Sequence, residues 1–348
     1  MYEEHGQPKR RRILPVDDPH CKFWLRSDLG ATMVADPVIG AWTLAAGWSA
    51  AGGGVYDHAG GADNLDQAIL VVGNWYQLTY TVSGVAGGTV QPYAGTTAGT
   101  ARAADGTYTE TILCAGNTSL IFVGTGTASV GAISIEARSL AGLADQSING
   151  HDATQATATK QPSYTPDGGL IDRPYLTFNG TTSYLEQASH ADLNAGQESW
   201  LLLAVVRFVR AVGTWDGIWG KARNASANNL RCFRNGAGAP VIYHSAGSYT
   251  GGSFAMPIGD YVLAYGVDSS ALQAIYWANA THQRKAAVLA GTGSNAEKAA
   301  IGAASELGEW PGNFRLYEMA YYRFGAGVAI PDGMIQLHFD WLRAGYGI

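Results

Sequence analysis

The residues of this sequence with the most distinctive chemistry are tryptophans and tyrosines that stand beside polar side chains. Sugar rings present apolar C–H faces next to hydroxyl groups, so sugar-binding sites pair a flat aromatic ring with Asn, Asp, Gln or Arg. The side chains that we predict to bind glycan are Trp215, Asp216, Asn228, Asn229, Tyr243, Tyr249 and Trp310 in the C-terminal part, and Tyr56 and Trp75 in the N-terminal part. The alternative, that these rings pack inside a β-sheet core, stays open.

A second group of polar residues suits a cation. Asp145, Asn149 and Asp152 bring oxygen ligands into one short segment, and Ca²⁺ binds roughly six to eight oxygens. The alternative is a turn in which Asp145 and Asn149 hydrogen-bond to their own backbone. We favour the turn, because such local bonding needs no metal, and keep calcium binding as the alternative.

Four consecutive basic residues stand near the N-terminus, namely Lys9, Arg10, Arg11 and Arg12. Residues 1–22 contain prolines and lack a periodic apolar pattern, which predicts an extended arm rather than a domain. The basic run could anchor this arm to an acidic patch of a partner protein or touch nucleic acid. A solvated tail without a partner is the alternative.

No motif in the sequence supports catalysis. The eight histidines form no HExxH motif, and no serine stands in a GxSxG motif. The 28 acidic residues show no obvious pair of the kind that glycoside hydrolysis by two carboxylates requires, although folding could bring one together. We therefore predict no catalytic residues, no enzymatic activity and no cofactor other than the calcium considered above.

The composition is typical of a compact β protein. Of the 348 residues, 47% are hydrophobic and 14% charged, whereas the charged share is usually about 25%. The 46 glycines are scattered among Thr, Val, Ile, Tyr and Trp, which predicts many short strands joined by tight turns. The net charge of −6 argues against nucleic acid as a partner of the folded body, because phosphate contacts need a basic face.

Other patterns bear on location and bonding. No apolar run approaches the roughly 18 residues of a membrane span, so membrane insertion is not expected. The first residues lack the basic-then-apolar pattern of a signal peptide, which predicts synthesis in the cytoplasm and exit by lysis or within a particle. Cys21, Cys114 and Cys232 stand far apart and are predicted to be buried free thiols.

Several strands can be predicted from hydrophobic periodicity. In Tyr76–Ser83 large apolar and polar residues alternate, which predicts a half-buried strand. The pair Gly87-Gly88 predicts a hairpin turn after it. Ser199–Phe208 is a longer apolar run and is therefore predicted to be a central strand covered on both faces.

The end of the chain carries the one helical pattern. Pro331 suits the first turn of a helix, and Gly345 is predicted to cap its C-terminus. The apolar residues expected to share its buried face are Met334, Leu337, Trp341 and Leu342.

Three segments of the first β region together resemble a known kind of domain. They are Gly47–Gly54, Tyr76–Gly84 and Asp105–Thr111, which supply an opening strand with a tryptophan, a central alternating strand and a glycine-rich turn. In combination they resemble a carbohydrate-binding module of the galactose-binding-like β-sandwich type. The resemblance covers residues 32–138 and implies a β-sandwich suited to holding sugar.

Residues 139–348 resemble a laminin-G-like or concanavalin-like jelly roll. The segments that carry this resemblance are Asp145–Gln155, Gln161–Tyr164, Leu176–Gly180, Phe314–Tyr322 and Trp341–Gly347. In such jelly rolls a strand like that within residues 23–31 stands shortly before the first of these segments. The resemblance therefore implies that residues 32–138 are inserted after the opening strand, with Phe23 and Leu25 contacting the C-terminal domain.

Both kinds of module occur in virion appendages of tailed bacteriophages, and this resemblance implies a function. The expected protein is a non-enzymatic virion surface protein: a head fibre, spike, decoration or tail-fibre component. Its expected partners are capsid or tail proteins and host surface polysaccharide, and we expect a homo-oligomer, because symmetric particles and weak sugar sites favour multivalency. The alternatives are a purely structural virion protein without a ligand and, third, a polysaccharide-degrading enzyme with a binding module.

Overall fold

The computed structural model describes residues 18–221, 229–245, 247–250, 254–286, 296–305 and 310–348, with the backbone alone for residues 229, 244–245 and 247–250. Within these ranges three antiparallel sheets and one C-terminal helix confirm the predicted all-β class. No helix of the described ranges has the length and apolar character to cross a membrane. The basic residues predicted to anchor an arm, Lys9, Arg10, Arg11 and Arg12, lie outside the described residues.

The strands of the first half are β1 (Cys21–Arg26), β2 (Ala31–Met33), β3 (Thr43–Leu44), β4 (Trp48–Gly52), β5 (Val55–Ala68), β6 (Trp75–Ala94), β7 (Thr97–Ala98), β8 (Gly106–Leu113), β9 (Ser119–Ala137), β10 (Leu140–Leu143), β11 (Ala153–Thr154) and β12 (Ser163–Thr165). Those of the second half are β13 (Tyr175–Asn179), β14 (Leu185–Gln187), β15 (Glu198–Phe208), β16 (Asp216–Lys221), β17 (Asn229–Arg234), β18 (Pro240–Ser245), β19 (Gly247–Thr250), β20 (Gly259–Asp268), β21 (Gln273–Ala278), β22 (Thr281–Ala286), β23 (Ala299–Ile301) and β24 (Asn313–Ala326), followed by helix α1 (Asp332–Tyr346).

The first module consists of β3 to β9, and its two longest strands, β6 and β9, bend sharply. The hairpin predicted at Gly87-Gly88 is wrong, because β6 continues through these glycines and pairs with β9 on both sides of them. The pairing register shifts there, and Gly84 and Gly87 adopt left-handed φ angles of 65° and 69°. Glycine accepts such angles without a steric penalty, so these residues bend the strand instead of ending it.

Bending folds the sheet of the first module over a single core. The predicted alternation in β6 is confirmed, because Tyr76, Leu78, Tyr80 and Val82 are all buried. Tyr80 meets Phe122 of the other half of the sheet edge-on, with ring centres 5.1 Å apart. The two halves of the sheet therefore face each other across a common apolar interior.

The second module is a two-sheet sandwich. One sheet has the strand order β12-β13-β24-β15-β20-β21-β22, with β1 also paired to β24, and the other runs β19-β18-β17-β16-β23-β14-β11-β10-β2. Trp219 of the second sheet stacks on Tyr321 of the first, with ring centres 5.1 Å apart. These aromatic contacts fill the space between the sheets and bury both rings completely.

Strand β15 confirms the prediction of a central strand covered on both faces. Its even-numbered residues, such as Leu202 and Val206, belong to the core between the two sheets. The odd-numbered Leu201 and Leu203 pack toward α1 on the opposite side. The unbroken apolar run is therefore the consequence of burial on both faces.

Helix α1 is present, but its ends and its face differ from the prediction. It begins directly after Pro331, and Gly347 rather than Gly345 adopts the left-handed φ of 66° that ends it. Leu337 is 52% exposed. The side chains that the helix buries are Ile335, Phe339, Leu342 and Tyr346.

The opening strands belong to the second module. β1 pairs with β24, and Phe23 and Leu25 are fully buried in the core of the sandwich. β2 pairs with β10, and the backbone N–H of Val34 donates to the carbonyl oxygen of Ser139 at 3.1 Å. The chain thus leaves the sandwich and returns to it at neighbouring points, as the predicted insertion requires, and the division into domains stays a prediction.

Candidate functional site

Four aromatic side chains, Trp215, Phe233, Tyr243 and Trp310, pack together on one face of the second sheet, and we call them the aromatic cluster. Phe233 is its centre, with ring centres 4.9 Å from Trp215, 5.4 Å from Tyr243 and 5.1 Å from Trp310. Trp215 and Trp310 also touch, at 4.8 Å. Tilted and offset pairs at these distances are favourable aromatic geometries. Three of the predicted glycan-binding residues are therefore brought together.

Strand pairing explains why the cluster forms on this face. Even-numbered residues of β17, such as Cys232, point into the core, so Phe233 points away from it. Tyr243 on β18 lies diagonally across from Phe233, since Phe233 pairs with Val241. Phe233 was missed in the sequence because a phenylalanine between buried residues is most simply interpreted as core, and it is covered by its aromatic neighbours instead.

Trp310 reaches the cluster through a close approach of two backbones. The N–H of Gly217 donates to the carbonyl oxygen of Trp310 at 2.8 Å. A Cβ atom at Gly217 would lie 2.3 Å from the backbone nitrogen of Ala304 and 2.7 Å from the Trp310 oxygen. Trp310 itself has a left-handed φ of 47°, which is costly for a residue with a side chain. Gly217 therefore makes room for a strained turn that carries a tryptophan.

The exposed side of the cluster forms one wall of an open depression of about 370 Å³. Trp215 is 39% exposed there, whereas Phe233 beneath it is fully buried. The residues that line the depression are Gly180, Arg210, Gly213, Thr214, Trp215, Trp310 and Pro311. An exposed flat ring beside a guanidinium group is an arrangement that can stack on an apolar surface and donate hydrogen bonds at its edge.

Asp216 does not face the depression, which corrects its prediction as a glycan ligand. Its carboxylate is fully buried and accepts hydrogen bonds from the guanidinium of Arg234 at 2.9 and 2.5 Å. It also accepts from Arg210 and from the backbone N–H of Asn313. A carboxylate with this many donors has no capacity left for a sugar hydroxyl. The hydrogen bond to Asp216 instead orients Arg210, which lines the depression.

A cation lies over the opposite edge of the cluster. The guanidinium carbon of Arg231 is 5.1 Å from the ring centre of Trp310. Arg231 stands directly across from Tyr243 in the paired strands β17 and β18.

Two further predicted glycan ligands lie in the first module, apart from this cluster. Tyr56 lines a separate depression of about 250 Å³ in the first module, near Trp42. Trp75 lines a depression of about 260 Å³ where the first module meets the loop of Thr159. Asn228 and the side chains of Asn229 and Tyr249 lie outside the described residues.

Comparison with known proteins gives weak similarities only. The chain matches no protein-family model and no curated protein. Among solved structures it is similar to the binding domain of Paraclostridial Mosquitocidal Protein 1, with 12% identity and a TM-score of 0.45 over 57% of this chain and 49% of that one. It is also similar to Trypanosoma rangeli sialidase in complex with sialic acid, with 13% identity and a TM-score of 0.41 over 57% of this chain and 31% of that one.

A third similar structure is the Ruminococcus gnavus IT-sialidase CBM40, with 12% identity and a TM-score of 0.34 over 41% of this chain and 84% of that one. The chain spans less than half the length of the mosquitocidal and trypanosomal structures. Similarities at this level assign neither a family nor a function, so the function has to be argued from the chain's own residues.

The loop predicted to be either a calcium site or a turn is built as a hydrogen-bonded turn. One carboxylate oxygen of Asp145 accepts from the backbone N–H groups of Trp24 and Ser147, both at 2.8 Å. The other accepts from the Ser147 hydroxyl and the His151 N–H, also at 2.8 Å. Asn149 donates through its amide to the carbonyl oxygen of Cys21 at 2.9 Å, and Asp152 accepts from the Asp145 N–H. This geometry favours the turn, which ties β1 to the sandwich.

A buried carboxyl group lies under α1. Glu318 on β24 accepts hydrogen bonds from the Trp24 indole at 2.6 Å and from the Tyr346 hydroxyl at 2.8 Å. Burial raises the pKa of Glu318, while these two hydrogen bonds and the positive charge of Arg26 oppose the rise. The side chain joins β1, β24 and α1. Its burial favours the neutral, protonated carboxyl group in the folded protein more than in the unfolded chain.

A cluster that the sequence analysis missed joins two loops of the second module. His151 and His190 have ring centres 4.5 Å apart, and Asp192 lies between them. One residue separates His190 from Asp192, but His151 is distant in the chain, so no spacing motif marks the group. Only the fold brings these three side chains together.

Proposed function

We propose that the protein is a non-enzymatic glycan-binding protein whose site is the depression beside the aromatic cluster. The observation that carries this proposal is the exposed ring of Trp215, which is held on two sides by Phe233 and Trp310. A ring fixed before binding loses little conformational entropy when a ligand stacks on it. Sugar rings, with their apolar faces and surrounding hydroxyls, match such a surface.

Arg210 adds the polar half of the site. Its guanidinium lines the depression and is oriented by the buried carboxylate of Asp216. Guanidinium groups donate several hydrogen bonds in a fixed plane, and they suit hydroxyl or acidic groups at the edge of a sugar. The pairing of a flat ring with a fixed donor is what sugar recognition requires.

The same site lacks the groups for hydrolysis within the described part of the chain. None of the described residues that line the depression is acidic, and the carboxylate of Asp216, next to Trp215 in the chain, is buried and bonded to two arginines. Glycoside hydrolysis normally needs two accessible carboxyl groups on either side of the bond. This supports a binding role over a catalytic one.

We further propose that the chain is carried on a virion, as a fibre, spike or decoration protein. This proposal rests on the resemblance of its two modules to those of phage appendages. Removal of residues 1–20 tests the anchoring role of Lys9, Arg10, Arg11 and Arg12, since incorporation into particles should fall. Unchanged incorporation would dispose of the arm as an anchor.

Binding of purified protein to surface polysaccharides tests the glycan proposal directly. An aromatic contact contributes about 1 kcal/mol, so Trp215→Ala should weaken binding roughly fivefold or more, while Trp215→Tyr retains much of it. Tyr93→Ala is the control in the first module, because this half-buried tyrosine is not one of the predicted glycan ligands, and it should leave affinity unchanged. Repeating the titration with EDTA shows whether calcium contributes. Absence of binding to every glycan would leave the purely structural alternative, whereas equal binding by Trp215→Ala would show that the site is not the depression beside the aromatic cluster.

A further inference from the structure

The second cluster of chemistry-bearing side chains, His151, His190 and Asp192, has the composition of a metal site. Their ligand atoms all lie within 4.8 Å of one another. We propose that these three residues bind one divalent transition-metal ion of the Zn²⁺ type. The site is separate from the aromatic cluster and independent of the proposed glycan binding.

The distances between the ligand atoms fit tetrahedral coordination. His151 Nε2 is 3.3 Å from Asp192 Oδ2, and His190 Nδ1 is 3.2 Å from the same oxygen. Zinc bonds to imidazole nitrogen and carboxylate oxygen are about 2.0–2.2 Å long, so neighbouring ligands of a tetrahedral site stand about 3.3–3.5 Å apart. One of these two distances has this length and the other is 0.1 Å shorter, and His190, whose side chain is 54% exposed, can adjust the distance between the two imidazole nitrogens.

The ring nitrogen of His190 that faces Asp192 is Nδ1. The backbone N–H of Asp192 donates to it at 3.2 Å, and the carboxylate Oδ2 of Asp192 also lies 3.2 Å away. An unprotonated imidazole nitrogen has one lone pair, so a metal ion bound by Nδ1 would take the place of this N–H. A hydrogen bond at 3.2 Å is at the long end of the usual range, so the interaction that metal binding must break is a weak one.

The backbone that carries the ligands is fixed by buried groups. The backbone N–H of His151 donates to Asp145, and its carbonyl oxygen accepts from the amide of the fully buried Gln187 at 2.9 Å. On the other loop, Leu193 is fully buried and Arg323 donates to the carbonyl oxygen of Ala191 at 2.7 Å. Ligands held in place before metal arrives bind it with less loss of entropy.

The donor set indicates the kind of metal and the effect of binding. Two imidazoles and one carboxylate suit Zn²⁺ and neighbouring first-row ions rather than Ca²⁺ or Mg²⁺, which prefer oxygen alone. Three protein ligands leave a fourth position for water. Bound metal would join the loop of His151, which also anchors β1 through Asp145, to the turn that precedes β15.

Titration of the tag-free full chain with Zn²⁺, in competition with a chromophoric chelator, tests the proposal. We expect about one equivalent to bind and to raise the thermal unfolding midpoint, because a ligand of the folded state stabilises it. His190→Ala and Asp192→Asn should each weaken binding by at least about tenfold, since even changes to groups that only support metal ligands cost roughly 10–100-fold. Titration with Co²⁺ should give visible absorption bands of four- or five-coordinate geometry.

His282→Ala is the matched control, because His282 stacks on Trp277 away from the cluster. It should bind Zn²⁺ like the unaltered protein. Both ligand variants alter exposed or half-buried side chains, so they should fold, and far-ultraviolet circular dichroism checks this. No saturable binding, or equal affinity in His190→Ala, Asp192→Asn and His282→Ala, would overturn the proposal.

Discussion

The N–H of Gly217 and the carbonyl oxygen of Trp310 form a hydrogen bond of 2.8 Å that brings an otherwise separate turn onto strand β16. The contact depends on the missing side chain of glycine, since the space of its Cβ is filled by the backbone of Ala303, Ala304 and Trp310. The position of the second tryptophan of the aromatic cluster is therefore set by a residue that does not touch the depression.

Gly217→Ala should disrupt the site by moving the turn of Trp310. Forcing a methyl group into close-packed backbone costs about 1–3 kcal/mol, so the free energy of unfolding in urea should fall by that amount and glycan binding should weaken with it. Gly236→Ala is the control, because a Cβ there meets only ordinary contacts at 3.5 Å. Equal stability of the two variants would contradict this account of the close approach.

Asp216→Asn should be among the most destabilising single changes in the second module. It leaves the fully buried guanidinium of Arg234 without its counter-charge, and breaking a buried ion pair in this way costs about 3–5 kcal/mol. The control is Asp260→Asn, whose partner Arg207 is 41% exposed and whose loss should cost about 1 kcal/mol or less. Chemical denaturation of both variants measures the difference, and similar losses would contradict a large cost of breaking the buried pair of Asp216 and Arg234.

Glu318→Gln should change how stability depends on pH. Because the pKa of Glu318 is raised above its ordinary value of 4.5 in the folded protein, the folded state holds this proton more tightly than the unfolded state does. The stability that the protonated group contributes is fully present below about pH 4.5 and is lost as the pH rises through the raised pKa. The glutamine variant stays neutral and should not show this loss.

The measurement for Glu318 is the free energy of unfolding of both proteins between about pH 4 and 8. The difference, unaltered protein minus variant, should decrease with rising pH over this window. Glu136→Gln serves as the control for removal of an exposed carboxylate. A difference that stays constant or increases with pH would contradict a raised pKa.

Replacement of residues 35–138 by a short turn should leave a folded sandwich. Val34 and Ser139 are already joined by a backbone hydrogen bond, so a few residues can close the gap. Near-ultraviolet circular dichroism and a single cooperative unfolding transition would show the retained fold. The control shortens this protein further by removing residues 18–33, which deletes the buried Phe23 and Leu25 and should abolish folding. If the protein that lacks only residues 35–138 does not fold, the hypothesis that these residues are inserted into an independently stable sandwich is contradicted.

Strands whose apolar residues follow a short-range pattern were predicted correctly from the sequence. The alternation in β6 and the apolar run of β15 identified strands correctly because side-chain direction repeats every two residues. At Gly87-Gly88 the same glycines that make hairpins also allow a strand to bend, and only pairing with β9 distinguishes the two. At the helix end, Gly345 and Gly347 were equally suitable by type, and the position of Tyr346 in the core places the cap at Gly347.

Only the residues of the candidate site that are recognisable by type could be predicted, because the other contacts depend on strand pairing. Tryptophans that stand beside polar residues can be recognised in a sequence, and the rings of Trp215 and Trp310 do lie in contact. The burial of Asp216 could not be inferred, because its partner Arg234 is defined by the pairing of β16 with β17. The cluster of His151 with Asp192 depends on two loops that the sheets bring together.

The adjacency of Val34 and Ser139 affects how the protein can evolve. Because the two ends of residues 35–138 lie side by side, another domain with neighbouring termini fits the same junction. Of the sandwich, such an exchange alters the contacts that the first module makes with the loop of Thr159. The aromatic cluster lies on strands that are remote from this junction in the order of the sheet. Residues 35–138 can therefore be replaced as a unit in evolution. The aromatic cluster, which is part of the sandwich, can change only by single substitutions.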